Sequence, residues 1–141
     1  MKNIVVTVIV GFITGLVISG ILFDVIKYIG KSFNRVSVSW NISKAEKAYS
    51  NGRFSDSVLV YRKTLPKIDS DNKILLAKTK NNLGLSLYKN YLNSKDINEL
   101  NEALTLFNEA KTIYSELNNS DLENQTDKNI LVVRQELQTN S

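Results

Sequence analysis

The chain has 141 residues, with 18 Lys and Arg against 14 Asp and Glu for a net charge of +4, and it contains neither cysteine nor histidine. Disulfides, thiolate nucleophiles, imidazole acid–base chemistry and the common zinc ligand sets are therefore excluded. One proline, few glycines and no sustained period-two alternation predict an all-α chain.

Residues 4–23 carry no charge, and a helix of that length rises about 30 Å, the thickness of a bilayer's hydrocarbon core. The apolar run continues past Asp24 through Val25, Ile26, Tyr28 and Ile29, and no small-x-small site follows it. A retained single-pass anchor over residues 1–30 is expected rather than a cleaved signal peptide. Within the run, Thr7, Gly11, Gly15 and Ser19 recur every fourth residue. This ridge of small side chains contains a GxxxG pair and predicts transmembrane packing, with a homodimer as one outcome.

Only Lys2 precedes the run, whereas Lys27, Lys31, Arg35 and Lys44 follow it, so the remaining domain is expected on the cytoplasmic side of the membrane. Residues 31–39 form a juxtamembrane segment in this scheme. Tyr28, Phe33 and Trp40 then lie near the interface, or, for Trp40, in the core of the first soluble helix.

From residue 40 onward a unit recurs. Ala45, Ala48, Tyr49, Asn51, Gly52, Arg53, Phe54, Ser57, Tyr61, Thr64 and Leu65 make the first copy; Leu83, Gly84, Leu87, Tyr88, Ala103, Phe107 and Ala110 make the second. The order of small residues and aromatics resembles the tetratricopeptide repeat (TPR), a helix-turn-helix unit of about 34 residues that stacks into a solenoid. The resemblance implies that Ala45, Ser57 and Thr64 sit at close helix contacts and that Tyr49 and Tyr61 fill the hairpin. It also implies that Gly52 makes the turn and Phe54 opens the second helix. Seven extra residues separate Tyr88 from Ala103 relative to the first copy. Because Tyr91, Leu92, Ile97 and Leu100 extend the apolar stripe through them, both helices of this hairpin are expected to be lengthened.

Helix starts are expected at Ser55, Asp71, Asp96 and Ser120, the last two with capping-box partners Glu99 and Glu123. A terminal helix over residues 122–137, with Ile130, Val133 and Leu137 on one face and Leu131 beside them, is expected to cover the open end of the stack. The expected fold is thus all-α: one transmembrane helix, a short TPR-like hairpin stack over residues 40–138, and a C-terminal capping helix.

There is no P-loop, GxSxG, HExxH or dinucleotide turn, so no enzyme activity, cofactor or metal is expected. Glu99, Glu102, Glu109 and Glu116 share one helix at three- or seven-residue spacing, the pattern of a solvated face rather than of an acid–base pair. Residues 31–95 carry near +9 and residues 96–141 near −6. The basic residues are scattered and not grouped with aromatics, which argues against nucleic acid and suits an anionic lipid surface.

Repeat proteins of this kind are commonly scaffolds for a protein or peptide partner. The resemblance implies a membrane-anchored adaptor whose groove is lined by Tyr49, Asn82, Ser86 and Lys89. The alternative is a structural subunit of a membrane complex assembled through the GxxxG face. Ile42 and Glu46 stand where a lysine–asparagine clamp for chaperone tails would begin, so that specialised use is not expected.

Overall fold

The computed structural model describes residues 2–140, with side chains from residue 21 onward. Its elements are α1 (Lys2–Ser50), α2 (Phe54–Thr64), a single 3-10 turn (Leu65–Lys67), α3 (Lys73–Ser94), α4 (Ile97–Glu116) and α5 (Ser120–Thr139). The described residues are all helix, turn or coil, with no strand. They form two compact units, Met1–Ser37 and Val38–Ser141.

Among the described residues no helix is long and apolar enough to cross a membrane. This overturns the single-pass anchor over residues 1–30, and with it the membrane localisation and the cytoplasmic placement of the domain. The physical reason lies in the described part of α1, where Asp24, Lys27, Lys31 and Arg35 place a charge on nearly every turn; each would have to be desolvated in hydrocarbon. The packing ridge of Thr7, Gly11, Gly15 and Ser19 lies outside the residues with described side chains.

The second unit is built on small residues that let helices touch. Ala45 of α1, Ser57 and Thr64 of α2, Ala77 and Ser86 of α3, and Ala103 and Ala110 of α4 are all buried. The Oγ atoms of Ser57 and Ser86 lie 2.9 Å apart, and Ser86 also donates to the Asn82 carbonyl at 2.8 Å. Around these contacts Val58, Tyr61, Leu83, Leu87, Tyr91, Leu100, Phe107, Ile130 and Val133 pack into one core. At the other end of α4, Ala77, Ala110 and Tyr114 form a second cluster against Ile113 and Leu122. Burial of this kind supplies the main driving force for such a small domain.

The hairpin turns follow from backbone chemistry. Gly52 has φ +72°, its amide bonds to the Tyr49 carbonyl, and the Arg53 amide reaches back to Ala48 at 2.9 Å. That pair of bonds is a Schellman closure, which needs a left-handed residue at the turn. The α4–α5 turn repeats it with Asn118 at φ 52° and bonds from Asn118 to Ser115 and from Asn119 to Tyr114. Helices α3 and α4 run 22 and 20 residues against 11 for α2, so both members of the second hairpin are lengthened as expected.

Helix starts differ in detail from the expectation. Asp96 does cap α4, accepting from the Asn98 amide at 3.0 Å. In place of Asp71 and Ser120, Asn72 and Asn119 accept from the amides of Leu75 and Leu122. Each cap is one residue away from the expected position. Ser55 lies inside α2, whose start at Arg53 has no side-chain cap.

Candidate functional site

Helices α1, α2 and α3 enclose a cleft of about 120 Å³ lined by Glu46, Tyr49, Tyr61, Asn82 and Leu85. Two i,i+3 pairs create it. Glu46 and Tyr49 occupy adjacent turns of α1, Asn82 and Leu85 adjacent turns of α3, and residues at that spacing share a helix face. Tyr61 of α2 forms the floor and is itself buried. Tyr49 is fixed from the other side by Phe54, whose ring meets it edge-on with centroids 5.3 Å apart.

The polar groups of the cleft are a carboxylate, a side-chain amide and two phenols. Burial pushes the Tyr61 phenol up to about 12; the hydrogen bond with Asn82 opposes that rise, and the charges of Glu46 and Tyr49 add to it. Burial also raises Tyr49. Both rings are therefore neutral across the physiological range and serve as hydrogen-bonding hydroxyls. No cation lines the cleft, so its charge is that of Glu46.

Of the residues implied by the repeat resemblance, Tyr49 and Asn82 meet here. Ser86 is fully buried in the α2–α3 contact, and Lys89 lies half-buried with its Nζ 5.9 Å from the Tyr88 ring; neither lines the cleft. Glu46, Tyr61 and Leu85 complete it instead. For Glu46 and Leu85 the sequence signal was the three-residue spacing to Tyr49 and Asn82 on their own helices; Tyr61 was expected in the hairpin core, and its place beside those pairs depends on how the helices meet.

The four glutamates of α4 are all engaged. Glu99 accepts from Asn90 and from Ser94, the latter at 2.7 Å, and Glu102 is held by both nitrogens of the Arg62 fork. Glu109 pairs with Lys80 at 2.5 Å and Glu116 with Lys73 at 2.7 Å. The basic first half and the acidic second half of the domain thus meet across the α2–α4 and α3–α4 contacts. On the far side of α4, Lys111 reaches Asp127 of α5 at 2.7 Å. Three of the basic side chains that suggested a lipid-facing surface, Arg62, Lys73 and Lys80, are paired within the fold. Among the described residues no group of three or more acidic side chains is placed to hold a metal ion.

Comparison with protein-family models, with curated proteins and with solved structures finds no match.

Proposed function

We propose that the second unit is a protein-binding adaptor of TPR-like plan whose α1–α2–α3 cleft receives a basic side chain of a partner polypeptide. Two observations support the plan. The small and aromatic positions that the resemblance assigns to helix contacts, Ala45, Ser57, Tyr61, Thr64, Ala103 and Phe107, are buried, and Gly52 makes the turn. The observation that carries the binding site is the convergence of Glu46, Tyr49, Tyr61 and Asn82 from three helices around one small cleft. A carboxylate flanked by neutral hydroxyls and an amide offers charge-assisted acceptance to a guanidinium or ammonium group, the stronger kind of hydrogen bond. Leu85 gives the aliphatic stem of such a side chain an apolar wall.

The test is selection from a displayed random-peptide library on the full chain and on its Glu46→Lys variant. The wild-type protein is expected to enrich peptides with Arg or Lys at one fixed position, and the variant to lose them. No enrichment, or enrichment indifferent to the charge at position 46, contradicts the proposal.

A further inference from the structure

Four asparagines of the chain are followed by glycine or serine: Asn51 by Gly52, Asn93 by Ser94, Asn119 by Ser120 and Asn140 by Ser141. Three of them are held in place. Asn119 accepts from the Leu122 amide at the start of α5, Asn140 donates to the Glu136 carbonyl, and Asn93 lies within α3. Asn51 instead sits in an exposed turn, between the end of α1 at Ser50 and the start of α2 at Phe54. Its side chain makes no hydrogen bond to the described residues. The residue after it is the one that hinders ring closure least, because glycine has no Cβ. A Cβ built at Gly52 meets no atom within 4 Å, so the space around the turn is open.

We propose that the Asn51–Gly52 turn is a self-modifying site, at which the Gly52 nitrogen attacks Cγ of Asn51 and the side-chain amide becomes a carboxylate. A bond forms between the Gly52 nitrogen and Cγ, and the Cγ–Nδ2 bond breaks. The Gly52 amide proton leaves with the ammonia, and a five-membered succinimide remains. Water then opens the ring. Attack at Cγ gives aspartate, and attack at the main-chain carbonyl gives isoaspartate; in sum, asparagine and water become an acid and ammonia, with no oxidant or reductant. In the closed turn the Gly52 N–H donates to the Tyr49 carbonyl at 2.9 Å. Helix termini fray at little cost, and the reaction proceeds from that open form. The product alters the turn through the same bonds. Isoaspartate routes the chain through Cβ and adds one backbone atom inside both closing bonds, Gly52 to Tyr49 and Arg53 to Ala48, so the Schellman register is lost. The new carboxylate also stands at the C-terminus of α1, where the helix dipole disfavours negative charge. The turn that seats Phe54 against the Tyr49 ring is thereby loosened.

Trypsin cuts after Lys47 and Arg53 and so releases residues 48–53 as a peptide with a single asparagine. The folded full chain is incubated in mildly alkaline buffer and that peptide is followed by mass spectrometry, with isoaspartyl methyltransferase labelling to separate the two acids. Residue 51 is expected to convert before any other asparagine of the chain, with isoaspartate as the major product. Asn51→Gln, which would need a six-membered ring, is expected to lose the conversion. Gly52→Ala is expected to slow it, both in the folded chain and in urea, where the fold of the variant no longer matters. The wild-type reaction is expected to quicken in urea, because the bond to Tyr49 is gone. Conversion at Asn93 or Asn119 ahead of Asn51 would overturn the proposal. So would a folded chain that keeps residue 51 intact while the urea-unfolded chain converts it.

Discussion

A Cβ built on Gly84 of α3 falls 2.8 Å from Cε1 of Phe107 on α4, closer than any real methyl contact. The two helices of the long hairpin therefore approach as they do because position 84 has no side chain, and the Phe107 ring occupies the space a Cβ would need. Alanine is the better helix former by about 1 kcal/mol, but overpacking a filled core costs about 1–3 kcal/mol. Gly84→Ala is expected to lose about 1–2 kcal/mol net in urea unfolding. In a Phe107→Leu background the same change is expected to be neutral or stabilising, since the clash is gone while the helix propensity remains.

Lys95 ends α3 with φ 59° and its amide bonded to the Tyr91 carbonyl at 2.7 Å. A left-handed conformation costs a residue with a Cβ about 1 kcal/mol, and glycine almost nothing. The lysine Nζ lies 5.4 Å from the Tyr91 ring centroid, a partial compensation on an exposed side chain. Lys95→Gly is expected to raise the urea midpoint by the equivalent of about 0.5 kcal/mol. Lys95→Val, β-branched at the same φ, is expected to lower it.

Tyr61 gives the domain an alkaline limit. Its pKa is raised in the folded state from 10 to about 12, so between those values the unfolded chain has lost the phenolic proton and the folded chain retains it. Stability that is fully present below pH 10 then falls as pH rises toward 12, by on the order of 2 kcal/mol. Tyr61→Phe, which keeps the ring and removes the titrating group, is expected to flatten the fall in melting temperature between pH 10 and 12. A variant with the wild-type slope would assign the alkaline limit to the other raised tyrosines, Tyr49, Tyr88 and Tyr114.

Helix α5 covers α4 through Ile130 and Val133, both buried in the main core. Asn81 of α3 accepts from Asn129 of α5 at 3.2 Å. Ile130→Ala is expected to cost about 2–4 kcal/mol. Deletion of residues 120–141 is expected to be worse, because it exposes the α4 face and leaves Asn81 without its α5 partners; thermal unfolding followed by circular dichroism measures both.

The helices, the glycine turn and the covering α5 were legible because each rests on local signals: apolar spacing, a left-handed glycine, a cap within one residue. The lengthened second hairpin was legible for the same reason, since Tyr91 and Leu100 carry the stripe through the extra residues and both are buried. The site was only half legible. Tyr49 and Asn82 are on one face of their own helices, but whether Ser86 faces a groove or a neighbouring helix depends on how α2 meets α3, and that is set by Ser57, 29 residues away. The opposite charges of the two halves were read from sequence as separate surface properties, whereas long-range pairs such as Arg62 with Glu102 join them across helices at the surface. Such exposed pairs orient helices more than they stabilise them. For the first unit the expectation rested on the uncharged run of residues 4–23, whereas the described part of α1 that follows it carries Asp24, Lys27, Lys31 and Arg35 and is not apolar enough to cross a membrane. Trp40, expected at an interface or in the core, is exposed beside Lys44, whose Nζ lies 5.5 Å from its ring.

The proposed function rests on a partner binding in the cleft between α1, α2 and α3. The most direct measurement is a nitrogen–proton correlation spectrum of the full chain titrated with a short amidated peptide carrying one central arginine. Shifts centred on Tyr49, Asn82 and Leu85 that disappear in Glu46→Gln are expected; shifts centred elsewhere, or unchanged by that substitution, would contradict binding in this cleft.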